Sequence, residues 1–433
     1  MKIFEKAKQL STREQFVAQK SKGNKYKTAD VDEMREYILS DRCTADLERL
    51  ENGDYFLDYP QYRLIAKNFH NRKRAVYSFH GEGGMLLKLL VYSLRDMESK
   101  LYSDRLFSFR SDKTATDLLE EISRNKEVSE LYVLKTDVSN YVGSIVPELI
   151  LPMIDNLFLE SDPEFCRFLK WIVTRDKVYD RFGNLIDHCP GGLGGVPVGN
   201  IFMNLYLHEM DEYFAPRAAF YSRYSDDILI CARTEEEIQE FQQVFYNFLE
   251  RLKLSTNKEK TMIIQPGEPF ELLGMELCKG RITISSHSMV KIRRKLRKFT
   301  MNAFLKYSKG KMTRDEAAAL LVRRFNHFFF GKKGSGKLLS WARWAFPVIT
   351  DTECLKELDH YFQTSLRFVL YGSMKQRKMK IPYEKLHALG YKSLVYYFHH
   401  QEKIKELINN SKKASSGNRQ LRFPFFYGHK KIR

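Results

Sequence analysis

Three aspartates carry the chemistry this sequence could perform. Asp226 and Asp227 stand side by side between the short apolar runs 220–224 and 228–232, and Asp137 follows a third apolar run, 131–134. Singly, each has an ordinary use, since aspartate caps helices and fills turns. At the ends of neighbouring strands the three carboxylates gain another. They become hard oxygen ligands for two Mg2+ ions, with Mn2+ as a substitute; such ions take one or two protein carboxylates and complete their shells with substrate phosphates. Two ions about 4 Å apart activate an attacking hydroxyl and stabilise a leaving pyrophosphate.

The elements around these residues must bring the carboxylates together. Runs 220–224 and 228–232 read as strands joined by a tight hairpin with Asp226 and Asp227 at its tip. Ile238, Phe241, Phe245, Phe248 and Leu252 follow at spacings of 3, 4, 3 and 4, which predicts a helix with one apolar face on a sheet. Residues 254–257 read as a further short strand. From 130 to 278 the order is therefore strand, helices, hairpin, helix, strand: an α+β fold with helices on one face of a sheet. Residues 1–70 read as mostly helical, and 84–97 as an apolar helix. Beyond about 280 the chain is basic and mainly helical, with breaks at 331–336 and Pro347.

The bulk composition sets the partner. The 433 residues are 43% hydrophobic and carry a formal net charge of +18, enough chain for two to four subdomains and a charge that favours a polyanion. The charge is concentrated. Between 281 and 333 there are fifteen Lys or Arg against two acids, and from Gln401 onward nine against two. The six cysteines are scattered without a CxxC pair, so zinc and disulfide frameworks lack support. No apolar run is long enough to span a membrane, and residues Met1 to Lys6 lack the apolar core of a signal peptide, so a cytoplasmic protein without membrane partners is expected.

The block Tyr224, Ser225, Asp226, Asp227 resembles the Y-x-D-D signature of reverse transcriptases, and Asp137 sits about ninety residues upstream, where that family's first catalytic Asp is expected. Further matches follow in order. Phe109 and Arg110 resemble the fingers F-R. Gly195, Val196, Pro197, Val198, Gly199, Asn200, then Asn204 to Leu207, resemble the segment that supports template and nucleotide. Residues 254–260 resemble the lysine-bearing segment, and Phe270 to Gly274 the primer grip.

The resemblance implies a right-hand polymerase fold: an N-terminal extension and fingers over 1–129, an RRM-like palm over 130–278 with a fingers insertion at 160–190, a basic helical thumb over 279–372, and a C-terminal extension with a basic tail over 373–433. It implies that Asp137, Asp226 and Asp227 are catalytic and hold the metals. The nucleotide would meet Arg110, Tyr141, Val142, Gly195, Pro197, Val198, Gly199 and Lys260, with the glycines admitting a close backbone approach. Leu273 and Gly274 would grip the primer. Arg72, Arg74, Lys291, Arg293, Arg294, Lys295, Arg297 and Lys298 would hold nucleic-acid phosphates.

Two positions depart from the family pattern. Val198 stands where a glutamine is usual, and Val142 where an aromatic sugar gate is usual; Tyr141, one residue earlier, would replace it only with a shift of register. A smaller gate would weaken rejection of a 2′ hydroxyl. The stretch Trp341 to Pro347, with 366–372 and 383–397, resembles the C-terminal regions of bacterial defence-associated reverse transcriptases. That implies a stand-alone polymerase copying a structured noncoding RNA into cDNA from deoxynucleoside triphosphates, with oligomerisation open. Retron-type, template-independent protein-primed and RNA-binding scaffold readings are the alternatives.

Overall fold

The structure, a computed structural model, describes residues 2–21, 28–66, 73–256, 261–331, 341–372 and 380–403. Contacts divide the chain into two units: 1–21, 25–118 and 131–266 in the first, and 22–24, 119–130 and 267–433 in the second.

Among the described residues the first unit holds eight strands: β1 (Gln61–Ala66), β2 (Lys73–Ser78), β3 (Tyr132–Asp137), β4 (Lys177–Tyr179), β5 (Leu185–Asp187), β6 (Phe220–Tyr224), β7 (Asp227–Ala232) and β8 (Met262–Ile264). They form two four-stranded sheets, ordered β2-β1-β4-β5 and β6-β7-β3-β8. Every pairing is antiparallel except one parallel bridge, Gln61 to Tyr179. In the second sheet β7 is apolar on both faces, with Ile228, Leu229, Ile230, Cys231 and Ala232 all fully buried. It therefore reads as a continuous apolar run rather than an alternation.

The helix Glu235–Arg251 packs on β7 and β3, burying Ile238, Phe241, Phe245 and Leu249. Its start is set by Thr234, whose hydroxyl accepts the Glu237 amide, and by three glutamates in the first turn, both favourable at a helix N-terminus. Lys253, at φ +52°, ends it.

One expectation from the sequence is corrected, and the mostly helical N-terminal region is bounded more closely. The strand expected at 254–257 lies at Met262–Ile264 instead, paired with β3. Leu254, Ser255 and Thr256 leave the left-handed Lys253 and contribute only one bridge, from Thr256 to Val138. The N-terminal region is helical only to Glu51. Tyr62, Ile65, Val76 and Tyr77 belong to the β1–β2 hairpin, where aromatic and β-branched side chains are favoured over helix.

The second unit is mainly helical. β9 (Phe270–Leu272), β10 (Met275–Cys278) and β11 (Arg281–Ile284) form an antiparallel sheet. The helices Ser286–Ser308, Arg314–Phe330 and Glu353–Tyr371 pack against one another. Aromatic rings fill their centre, with the Phe325 and Phe362 rings tilted and 4.0 Å apart and Phe329 meeting Trp341 edge-on at 5.2 Å. Asp359 ties in the following chain by accepting from the Tyr391 and Ser393 hydroxyls and from the amides of Leu394 and Val395. Among the described residues no helix is long and apolar enough to cross a membrane. All six cysteines are unpaired, four of them buried and Cys189 exposed.

Candidate active site

Strand pairing brings the three aspartates to one end of a sheet. Asp137 of β3 lies opposite Asp227 of β7, and opposed residues of an antiparallel pair stand about 4.5–5.5 Å apart at Cα. Tyr224 and Asp227 close the β6–β7 hairpin, which leaves Ser225 and Asp226 as a two-residue turn. Of the two, only Ser225 has a positive φ, at +61°. That is the pattern of a type II′ turn, whose first position normally goes to glycine. A serine there stores strain of order 1–3 kcal/mol, so its surroundings must hold it. Two hydrogen bonds from outside the hairpin do so: the Ser225 amide donates to Ser108 Oγ at 2.9 Å, and the Val138 amide donates to the Asp226 carbonyl at 3.1 Å.

All three aspartates are half-buried, and each has polar or charged company nearby. Three carboxylates are a hard oxygen donor set of the kind Mg2+ takes, so the residues fit such ions. As the side chains stand, no group of three or more His, Cys, Asp or Glu among the described residues is arranged to hold a metal by itself. Magnesium ordinarily draws the rest of its shell from water and substrate phosphates, so a complete protein cage is not required.

Behind the turn lies a buried polar network that sequence reasoning missed. Arg223 and Asp211, both with fully buried side chains, form a two-pronged ion pair, with Nε to Oδ1 at 2.7 Å and Nη2 to Oδ2 at 2.5 Å. The Tyr221 hydroxyl donates to the same carboxylate at 2.6 Å. Burial alone would push the Arg223 guanidinium down, but the Asp211 charge and its hydrogen bonds raise it above its ordinary value, so it stays charged. Arg223 also donates to the carbonyls of Met203 and Asn204 at the end of the helix Gly199–Tyr206. Its backbone bonds to Arg105 and Phe107, and Leu106 bridges to it in parallel. The available signal was an arginine inside a buried strand, which demands a buried acidic partner.

Several of the residues expected to meet the nucleotide are buried and engaged within the protein. Arg110 is 2% exposed and is occupied by Asp112 through two bonds of 2.9 and 2.6 Å and by the Ser103 carbonyl at 2.7 Å. These bonds close the 103–112 loop on itself. Burial would raise the Asp112 carboxyl, but Arg110 holds it below the usual carboxylate range. Tyr141 is 2% exposed, and its hydroxyl donates to the Met203 carbonyl, so its ring is held within the protein's own packing. Val198 is fully buried, which removes its side chain from any nucleotide.

The glycines of the 191–199 segment serve the protein's own packing. A Cβ on Gly199 would lie 2.5 Å from the Gly192 carbonyl oxygen and 2.6 Å from that of Leu193. One on Gly195, where φ is +102°, would lie 2.9 Å from Val76 Cγ1 and 3.0 Å from the Tyr77 carbonyl oxygen. The close approach is to neighbouring backbone, which is also a reason only glycine fits. Val142 lies half-buried beneath this loop, with Cγ1 3.1 Å from where a Gly194 Cβ would stand. Pro197 is half-buried and Arg74 exposed. Lys260, Arg72 and the basic tail from 404 lie outside the described residues; Thr261, next to Lys260, shares a 3.0 Å hydrogen bond with Thr136 of β3.

Within the second unit, Leu273 and Gly274 form the two-residue turn between β9 and β10, with φ of +51° and +82°, the type I′ pattern. Leu273 is buried and lines a cavity of about 20 Å3 together with Lys291, Trp341 and Trp344. The basic face of the helix Ser286–Ser308 is divided. Arg294, Lys295, Arg297 and Lys298 are exposed and Lys291 is half-buried. Arg293 pairs with Glu357 and lies over the Tyr361 ring, so it joins two helices rather than gripping phosphate.

Part of the chain is similar to known proteins. Residues 85–277 match the family described as reverse transcriptase (RNA-dependent DNA polymerase). The retron Ec86 reverse transcriptase of Escherichia coli is 21% identical over 239 residues, 55% of this chain and 69% of that protein. Among solved structures, telomerase from Candida albicans with a TWJ fragment of telomeric RNA aligns over 88% of this chain and 72% of that chain, with TM-score 0.42 and 13% identity. Apo telomerase from Candida tropicalis truncated from its C-terminal domain aligns over 52% of this chain, at TM-score 0.40 and 14% identity, and this chain spans 55% of that one's length. Over residues 85–277 this protein carries a reverse transcriptase domain, that of an RNA-directed DNA polymerase.

Proposed function

We propose that this protein is a bacterial defence-associated reverse transcriptase that copies a structured noncoding RNA into cDNA. The observation that carries the polymerase reading is the register of Asp137 against Asp227 with Asp226 in the adjoining turn, inside the matched domain. These three residues would hold two Mg2+ ions, which when bound would activate the primer 3′ hydroxyl and neutralise the charge of the departing pyrophosphate. The protein's part is to fix the carboxylates on a rigid sheet end, which lowers the reorganisation needed at the moment of reaction. Residues 130–278 act as palm. The exposed Arg294, Lys295, Arg297 and Lys298 act as a thumb face for the duplex, and Lys260 acts toward the triphosphate. The C-terminal stretch from Trp341 supports the defence assignment; the retron relative favours a retron-type polymerase as the second reading.

The test is to purify the protein from its native cells and sequence the RNA and DNA that accompany it, beside the Asp226→Ala, Asp227→Ala double variant. Copies of one bound RNA in the wild type, absent from the variant, establish the activity and reveal the template. Copies that persist in the variant overturn the site.

A further inference from the structure

The polar contacts behind the turn converge on a residue that no motif singles out. Ser108 lies in the 103–112 loop and is fully buried. Its hydroxyl oxygen accepts the Ser225 amide at 2.9 Å, and its carbonyl accepts Asn204 Nδ2 at 3.2 Å. The Asn204 carbonyl in turn accepts Arg223 Nη2 at 3.0 Å. The loop is held beside β6 by bonds from the Arg223 amide to the Arg105 carbonyl and from the Phe107 amide to the Arg223 carbonyl, both 2.9 Å. Phe109, next in the chain, has φ +56°, so the backbone turns sharply just after Ser108. Ser108 is thus the end of a braced path from the Asp211–Arg223 pair to the strained residue beside Asp226.

We infer that Ser108 is a positioning residue for the carboxylate turn: its hydroxyl holds Ser225 in the positive-φ conformation that presents Asp226 next to Asp227 and Asp137. This rests on the reading of those aspartates as the polymerase site. The logic is local. Ser225 is the one central turn residue with positive φ, it is not glycine, and its amide is fixed by a side chain 117 positions away in the sequence. Without that acceptor the turn can relax toward conformations an L-residue prefers, and the Asp226 side chain moves with it.

The experiment uses the full chain with a primed RNA template. Ser108→Ala is expected to keep template affinity within about twofold, while kcat falls about 10- to 100-fold, the scale on which displacement of about 1 Å lowers rates. Mn2+ binding, followed as loss of the free-ion electron paramagnetic resonance signal, should need several-fold more metal. Adding Ser225→Gly should recover most of both losses, because glycine adopts positive φ without cost. Loss of folded protein alone would not be repaired in that way. Ser108→Cys, which keeps a side chain of similar length but offers a weak acceptor, should fall between wild type and Ser108→Ala and serves if the alanine variant does not fold.

Wild-type kcat and Mn2+ binding in Ser108→Ala overturn the inference, as does a loss that Ser225→Gly leaves unrepaired. Asp226→Asn and Asp227→Asn are measured alongside. If they retain synthesis, the site reading itself fails; if they abolish it while Ser108→Ala is neutral, only the role of Ser108 fails.

Discussion

Replacing Asp211 by alanine should be among the most damaging single changes in the first unit. The substitution leaves the Arg223 guanidinium, with a fully buried side chain, without its counter-charge, and removing one member of a buried pair costs about 3–5 kcal/mol. The Tyr221 hydroxyl also loses its acceptor, and an unsatisfied buried donor costs about 1–3 kcal/mol. Allowing for overlap between the two, a loss of about 4–6 kcal/mol is expected, a large part of the roughly 5–15 kcal/mol that holds a domain together. For a unit of this size about 2–4 °C of Tm follows each kcal/mol, so Tm should fall by about 10–20 °C. The assay is thermal and denaturant unfolding of Asp211→Ala, then of Asp211→Leu, Arg223→Met and their double variant. A double variant within about 2 kcal/mol of wild type shows that the cost lies in the stranded partner, since buried pairs are often replaced by apolar residues without loss. A double variant that loses the full sum of the singles refutes the reasoning, as does an Asp211→Ala protein within about 1 kcal/mol of wild type.

Gly199→Ala places a methyl group 2.5 Å from the Gly192 carbonyl oxygen, so calorimetry should show about 1–3 kcal/mol of destabilisation from overpacking; an unchanged Tm means the loop yields freely. Val142→Tyr should raise discrimination against ribonucleotides about 10-fold or more, measured by competition of the two triphosphates, and an unchanged ratio places the gate elsewhere. Changing Arg294, Lys295, Arg297 and Lys298 together to alanine should flatten the salt dependence of RNA binding by about 0.7–0.9 in log–log slope for each phosphate no longer neutralised; an identical slope removes this face from the RNA interface. His188, whose Nε2 lies 2.6 Å from the Tyr77 hydroxyl, is held by burial below its ordinary value. The unfolded chain therefore gains a proton at higher pH than the folded one, and stability should decline as pH falls below about 6.5. His188→Phe should decline less between pH 7 and 5, and equal declines would show that His188 does not contribute. Burial pushes the Tyr77 hydroxyl up to about 12, so it stays protonated throughout.

The sequence was most informative where one short segment determined the structure. The runs on either side of Ser225, Asp226 and Asp227 became β6 and β7, because an apolar strand of that length has few other ways to hide. The spacing from Ile238 onward became a helix on β7 and β3, as a 3.6-residue period requires. The active-site supports were not legible, because they depend on partners far away in the chain. Arg110 matches a motif by type, yet Asp112, two residues on, occupies it. Gly199 matches by type as well, yet what approaches it is the carbonyl of Gly192. Ser108 and Asp211 carry no signature at all. Their roles exist only once the 103–112 loop and the helix His208–Phe214 lie against β6, a placement set by tertiary packing and not by local pattern.

The turn that carries Asp226 draws hydrogen bonds from Ser108 and Val138, residues 117 and 88 positions away in the sequence. Pairings of such long range raise the contact order of the fold and form late, after loop-closure entropy has been overcome. A nascent chain that has completed its N-terminal helices, or even β3, still lacks a fixed Asp226. Catalytic competence therefore arrives only with near-complete folding, and a partly folded copy of this protein is expected to bind nucleic acid through its charge well before it can extend it.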